Sequence, residues 1–565
     1  MSPARKLAAL VALTAATALS PIASACAQPP TVDGPTPTVK PTPGAATTTQ
    51  QEKSAAATAP ADPAQRPALI FTNAGWSRYS NPTVFTTATA TYFGTVPNTG
   101  SVQATRVDNK TAKISRTTLA YRFNKDDHAA PTFTRTRTGK IATFWSGHGT
   151  SPVYYKVSGS KDSMSFGATR RLRGSGLEHE NATYTVVYQM DGEKNRYWLF
   201  TRLQSTRSWH LTTSSDLSNW TPNIRINDIP YDWRVDHTWP YMRSASSGYR
   251  TIDFVYTDSA PQDDVTNPSL YHFRYRAGRF EKSDGTLIAT MSQVKAGRPI
   301  NPREGTLLYD GSAGKRAGDG VARIYSLSRG KYGRLGLGMT TEFRPASGPD
   351  TYSHRWYGWS PFTRNWTQKV LFRNASVYPI GLESPYGQPN SIYAVKRETV
   401  DVSALLLYTR HKDGTWTSTE LANGDKFRAP TSPQTVAPGD DEPYLGPISI
   451  AYQKGRWDSW KGDYDTAIIA RTTGYKPRGL EARVSDTGAT RLISGVVRQG
   501  VNGPRLGSQH GRVFVRRADG TTRTYQFTTA SNGSFAVRVS TGDSWRVYGT
   551  PERGWGLFST STRRF

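Results

Sequence analysis

Asp126-Asp127-His128, followed twenty residues later by Ser146-Gly147-His148, holds the residues of this 565-residue chain whose types and spacing suit chemistry best. Between the histidines there is one turn signal, Thr138-Gly139, and the residues on either side of it alternate as strands do. A hairpin centred there pairs positions whose numbers sum to about 277, and His128 and His148 sum to 276. The spacing therefore sets the two imidazoles nearly opposite each other at the open end of a hairpin, with Cβ atoms ~5 Å apart. Two cross-strand histidines bonded to backbone would satisfy the same spacing. Asp126 and Asp127 are adjacent, so in a strand they point to opposite faces and cannot both flank one glycosidic bond. One of them is expected to orient His128 through its second ring nitrogen, leaving the other for solvent or a cation.

The elements that must position these residues are strands. Hydrophobic residues make up 36% of the chain and aromatic residues 11%, with 15 Trp and 29 Tyr. That mix suits many short strands carrying large side chains, and no sustained helical periodicity follows the N-terminus. Asn219-Trp220-Thr221, Asn365-Trp366-Thr367 and Thr415-Trp416-Thr417 echo one another, and Ser215-Asp216-Leu217-Ser218-Asn219-Trp220 reads as a degenerate Asp-box hairpin. Repeated sheets over roughly 400 residues predict an all-β fold, a β-propeller of seven or eight blades over 66–478. Residues 479–565 change character, with Asp519-Gly520 and Asn532-Gly533 punctuating short strands, and read as a small accessory β-sandwich.

The N-terminus sets the compartment. Arg5-Lys6, an apolar run from Leu7 to Leu19 and the small residues Ala23-Ser24-Ala25 read as a secretory signal peptide over 1–27. The Pro/Thr/Ala-rich stretch 28–65 reads as a disordered linker. Cys26 is the single cysteine, so no disulfide framework and no cysteine-based zinc site can form. Cleavage before Cys26 would give a lipid-anchored surface protein, and cleavage after Ala27 a free extracellular one. The net charge of +28, from 71 basic and 43 acidic residues, calls for a polyanionic partner. For an exported protein that partner is expected to be acidic polysaccharide, not nucleic acid, met by a monomer. Asp440-Asp441-Glu442 could hold a structural calcium ion or be an acidic surface turn; no other cofactor is expected.

Lys125-Asp126-Asp127-His128-Ala129-Ala130-Pro131 and Trp145-Ser146-Gly147-His148-Gly149 resemble the "DDH-x-x-P … [YW]-[ST]-GH" signature of the BNR-4 repeat family. Further matches follow in order: Thr183-Tyr184 with Tyr197-Trp198-Leu199-Phe200-Thr201-Arg202, then Trp239-Pro240-Tyr241-Met242-Arg243, Asn267-Pro268-Ser269-Leu270-Tyr271-His272 and Ser283-Asp284-Gly285-Thr286. Gly455-Arg456-Trp457 with Asp463-Tyr464-Asp465-Thr466 completes a collinear series over about residues 70–475. Members of that family include ulvan lyases and lyases of L-rhamnosyl-α-1,4-glucuronate ends on seven-bladed propellers. The resemblance implies a catalytic set of His128, His148, Tyr184, Arg202 and Tyr241, with Asp127, Trp145, Arg243 and Tyr271 on the substrate.

Those types fit β-elimination from a uronate, in which the C5 proton leaves only when the neighbouring carboxylate is neutralised. Arg202 and His128 would neutralise, His148 or Tyr184 would be the base, and Tyr241 would position or donate. Taken without the motif, Tyr184 and Tyr241 would be core aromatics and Arg202 a strand ion pair. The chain departs from the family at Thr257-Asp258-Ser259-Ala260-Pro261, where "tdgHPR" is usual, and Arg243, Arg274 and Arg276 are candidates to replace the lost arginine. The expectation is a secreted polysaccharide lyase acting on a rhamnose- and uronate-containing glycan. The alternatives are a glycoside hydrolase of the rhamnosidase or sialidase kind on the same propeller, and a non-catalytic carbohydrate-binding propeller.

Overall fold

A computed structural model describes residues 66–564 except 229–238, 260–267, 317–320, 344–350, 375–380, 398–402, 425–429, 439–447, 459–462, 473–477, 500–504, 518–521, 550–557 and gaps of three or fewer. The signal peptide, the linker, Cys26 and Asp440-Asp441-Glu442 lie outside the described residues. Compact contacts divide the chain into two units, 1–59 and 60–565, and the second carries everything below.

The chain is nearly all-β, as its composition requires. Antiparallel sheets of four or more strands follow one another, each built mainly from consecutive strands. The first runs outward from Val84–Thr86 to Ile114–Ala120 and the second from Thr132–Arg135 to Arg170–Arg171. The third spans Ala182–Gln189 to Ile224–Arg225, and the fourth opens on Met242–Ser246. The fifth spans Val321–Arg329 to Asn365–Asn374 and the sixth Leu382–Glu383 to Trp416–Gly424. The seventh joins Pro430–Thr435, Ile448–Asp458 and Asp463–Thr472 to Arg66–Thr72, the first strand of the described chain. That pairing closes a ring without covalent help: Arg66 faces Thr472 and Thr72 faces Ala467. The pairing ties the last sheet to the start of the described chain, and radial repetition leaves each sheet only a short outer edge.

Large side chains hold neighbouring sheets together. Between the third and fourth, Trp198 meets Tyr275 at 4.8 Å and Phe200 meets Phe254 at 5.6 Å between ring centroids. Buried polar links serve where rings do not: Arg329 of the fifth sheet pairs with the buried Asp253 of the fourth. One irregular segment, Trp76 to Pro82, ties distant sheets to each other. Gln453 donates to the Trp76 carbonyl, the Ser77 amide to Asp127, the Asn81 amide to Thr185, and the Tyr79 hydroxyl to Ile324. Beyond residue 478 two further sheets share a separate core of Ile493, Val497, Val513, Val515 and Trp545.

Two local readings of the sequence recur here. Thr138-Gly139 makes the hairpin turn, with Gly139 at φ +78°, and Thr132 faces Phe144 so that paired numbers sum to 276. Asp216 forms its Asp-box turn by accepting from the amides of Ser218 and Asn219, and those bonds hold its carboxyl below the usual range. Phe254 is 1% exposed within the core between the third and fourth sheets. Phe254→Ala is expected to cost roughly 3–5 kcal/mol in urea unfolding, because the ring leaves a cavity that a closed ring of sheets cannot collapse.

Candidate active site

The two histidines reach each other by a route the hairpin alone does not provide. His128 is not in a strand. It sits in a single 3-10 turn, Asp127–Ala129, whose N-cap is Asp126, and the Asp126 carboxylate accepts from the His128 amide. Asp126 Oδ1 lies 2.5 Å from Nδ1 of His128, and its Oδ2 lies 2.9 Å from Nδ1 of His148. One carboxylate therefore clasps both rings, which stack face to face with centroids 3.8 Å apart and planes within 5°. Asp127 is buried, with Oδ1 2.9 Å from His128 Nδ1, and does not face solvent as the strand reading expected. The turn is the reason: consecutive residues of a 3-10 turn lie on neighbouring faces, not opposite ones.

The charges follow from this arrangement. Burial works against ionising Asp126, but the His128 charge and hydrogen bonds from both rings outweigh it and hold the carboxyl well below its usual range. Burial raises the Asp127 carboxyl. For His128, burial opposes the proton, yet Asp126 and Asp127 push its pKa up to about 10. His148 goes the other way, lowered by burial and by the His128 charge. At neutral pH the pair is thus one imidazolium and one neutral imidazole. An ionised carboxylate only accepts, so both Nδ1 atoms carry hydrogens and Nε2 is the basic nitrogen of His148. The donor atoms of Asp126, His128 and His148 lie within 4.8 Å of one another, close enough for a metal ion. A metal at either Nδ1 would have to displace a hydrogen bond to Asp126.

Tyr184 completes this corner. Its hydroxyl lies 3.1 Å from His128 Nε2, which donates to it when protonated. Tyr184 stands at φ +63° beside a bulge between Thr183 and Val186. An aromatic residue in the left-handed region costs about 1–2 kcal/mol, and such strain gathers at functional sites. Thr201 holds it by donating to the Tyr184 carbonyl at 2.7 Å, and Trp209 stacks on the ring at 5.9 Å.

Arg202 lies across the strand pair from Thr183 and is 4% exposed. Its guanidinium carbon sits 4.9 Å from the Tyr184 ring, 4.9 Å from Trp239 and 5.0 Å from Tyr241. Among the described residues no carboxylate pairs with it, and Nε and Nη1 have no hydrogen-bond partner. A cation caged by three rings is stabilised by their faces, but its in-plane donors are left for an acceptor that enters the site.

The structure thus brings His128, His148, Tyr184, Arg202 and Tyr241 into one cluster. Arg243 is 4% exposed, with Nη2 3.5 Å from Glu383 and Nε and Nη1 without partners among the described residues. Arg274 is committed to Asp253 at 2.6 Å, and Arg276 pairs with Glu281. Of the three arginines weighed as a replacement, Arg243 alone has two buried nitrogens without a partner among the described residues. Trp145, expected on the substrate, is 1% exposed in the core under the first two sheets. Tyr271 has Asp258, Ser269 and Arg303 as its charged and polar neighbours, not the histidines. Sequence reading passed over Tyr79, whose ring lies 5.2 Å from Tyr184 and 4.8 Å from Tyr241. It belongs to an irregular segment without periodicity, so no pattern marks it.

Residues 90–317 match the model of the BNR repeat-containing family member BNR_4. Among solved structures, a PL25 ulvan lyase bound to -[GlcA(1-4)Rha3S]- aligns with TM-score 0.52 and 13% identity, over 71% of this chain and 95% of that one. A second PL25 ulvan lyase structure aligns with the same TM-score, identity and coverage. At that identity the likeness is one of fold. No curated protein matches the chain.

The clasp carries a pH signature. The raised His128 pKa stabilises the fold in full below the ordinary histidine value near 6.5 and loses that contribution as pH rises through about 10. The depressed Asp126 contributes above the ordinary carboxylate value near 4 and is lost in acid. Asp126→Asn should therefore be least stable relative to the parent between roughly pH 5 and 8, with the gap closing above about pH 10. A pH series of urea denaturation measures it; a gap that stays constant with pH would contradict an imidazolium held by Asp126.

Proposed function

We propose that the seven sheets are the blades of one β-propeller and that the protein is a secreted polysaccharide lyase cleaving a uronate-containing acidic glycan by β-elimination. The observation that carries this reading is Arg202, a buried guanidinium with open donors beside the raised-pKa imidazolium of His128. Both cations contact the Tyr184 ring, so a carboxylate bound to the open donors of Arg202 would lie in a positive environment. A uronate carboxylate held there would have its charge neutralised, which lowers the cost of removing the C5 proton.

The cluster also supplies the proton transfers. Neutral His148 presents Nε2 as a base, and the Tyr184 hydroxyl, bonded to His128, is a second candidate. Tyr241 lies with Arg202 and Tyr184 and can place the sugar or protonate the leaving oxygen. In the elimination the C5–H electrons form the C4=C5 double bond, the C4–O bond breaks, and the departing oxygen takes a proton. Most retaining and inverting hydrolases, sialidases with a tyrosine nucleophile excepted, use two carboxylates flanking one bond. Here Asp126 is consumed by two imidazoles and Asp127 is buried beside one of them, so neither suits that role. The basic net charge and the family match over 90–317 favour an acidic glycan, and the fold shared with an ulvan lyase agrees with it.

Incubation with ulvan and with a rhamnose-glucuronate-capped arabinogalactan tests the reading through the ultraviolet absorbance of a 4,5-unsaturated uronate. The absorbance is expected to grow with the parent protein and to fall by at least ~100-fold in rate with His148→Ala. Reducing sugar without absorbance would identify a hydrolase, and binding without product a carbohydrate-binding propeller. The Arg202→Lys variant is expected to lose most turnover, since an ammonium replaces the planar donors with a point charge. Chelation should leave the rate unchanged, whereas loss restored by a divalent cation would assign Asp126, His128 and His148 to a metal.

A further inference from the structure

His128, Tyr184 and Tyr241 lie at the ends where the inner strands of their sheets begin, and Arg202 and His148 where the next strands end. That places the site on one face of the ring. The opposite face is made by the turns after the first and third strand of each sheet, and the fifth sheet presents an unusual pair there. Tyr332, in the turn from Val321–Arg329 to Leu335–Phe343, is 80% exposed. Phe362, in the turn from Thr351–Ser360 to Asn365–Asn374, is 67% exposed. Their rings meet edge to face at 6.1 Å, and the Arg334 guanidinium lies 5.4 Å from the Phe362 ring.

Neither turn needs these side chains for its own conformation. Tyr332 stands at φ +61° and is followed by Gly333 at φ +77°, in a turn closed by the Gly330 amide donating to the Arg334 carbonyl, and asparagine takes the Tyr332 conformation at less cost. An aromatic ring held there is strained by about 1 kcal/mol and covers no core. Single exposed apolar residues are ordinary, but a preorganised aromatic pair with a cation on it is a binding surface. The charge around it has one sign: residues 329–335 and 360–366 contain Arg329, Lys331, Arg334 and Arg364 and no acidic residue. Arg329 is spent on Asp253, while Arg334 and Arg364 are exposed. Tyr249, 62% exposed in the equivalent turn of the neighbouring fourth sheet, adds a third ring to the same face.

The geometry points to a second glycan-binding site on this face, separate from the active site: Tyr332 and Phe362 form a platform for the apolar faces of sugar rings, and Arg334 with Arg364 takes their carboxylate or sulfate groups. The ligand is acidic polysaccharide, chosen by charge complementarity and by the proposed activity, on which the choice of glycan rests. A site facing away from the catalytic cluster would keep the enzyme on its polymer between cleavage events without occupying the cluster.

Affinity electrophoresis through gels containing ulvan tests it, in a His148→Ala background so that the polymer persists. The Tyr332→Asn/Phe362→Ala variant, which keeps the Tyr332 turn with a residue suited to it, is expected to bind ulvan roughly three- to tenfold more weakly. Its migration through neutral xylan should match the parent, and with His148 restored it should turn over short oligosaccharides at the parent rate. Absence of retardation by ulvan in the parent, or equal retardation of parent and variant, would overturn the platform. So would a parent that is dimeric by light scattering and a variant that is monomeric, which would make the patch an interface between copies. Loss of elimination activity throughout, with platform-dependent ulvan binding intact, would overturn only the lyase reading.

Discussion

The Asp126 carboxylate is the interaction on which the site depends. It caps the short turn that carries His128, accepts from that residue's amide, and bonds the Nδ1 of two stacked imidazoles. Two histidines in van der Waals contact would ordinarily not both take a proton, and here the shared carboxylate decides which does. His128, with two carboxylates on it, keeps its charge; His148, beside that charge and desolvated, stays neutral. Charged and neutral states are thereby separated on one residue type by position, as they are where two carboxyls of a site are pushed apart.

The second constraint is a buried cation, Arg202, with no carboxylate partner among the described residues. Burying a guanidinium without a carboxylate is costly, and Arg202 is retained among three aromatic faces that offset part of that cost. The strained backbone at Tyr184 belongs to the same arrangement, because its bulge aims the ring between His128 and Arg202. The closed ring of sheets is what holds such features in place. Segments from several sheets meet near this point: Ser77 to Asp127, Asn81 to Thr185, and Tyr79 to Ile324. Relaxing the strain at one of them would disturb the others.

All of the collinear motifs but the last lie within residues 90–317, where the family model aligns, and the cluster of His128, His148, Tyr184, Arg202 and Tyr241 lies wholly inside that stretch. The departure at Thr257-Asp258-Ser259 leaves Asp258 accepting from the Ser269 amide and from Arg303, so that corner of the fold is knit by different groups. Arg243, held near Glu383 with two nitrogens open, occupies the neighbouring position from the fourth sheet.

Much of this was legible in the residues themselves. Period-2 alternation and turn signals are local, so the all-β class, the Thr138-Gly139 hairpin, its register and the Asp-box turn at Asp216 could be read directly. The order of motifs along the chain was enough to gather His128, His148, Tyr184, Arg202 and Tyr241 into one set. What the sequence did not hold was anything that depends on distant segments meeting. That Asp126 bridges two rings, that Asp127 is buried, that Trp145 is core and that Tyr79 backs the site all follow from packing between sheets. Tyr332 and Phe362 likewise become a pair only when two turns, thirty residues apart, are set side by side. Local alternation decides which residues form strands, but the closed ring decides which of their ends share a face, and charge and strain at the site are set there.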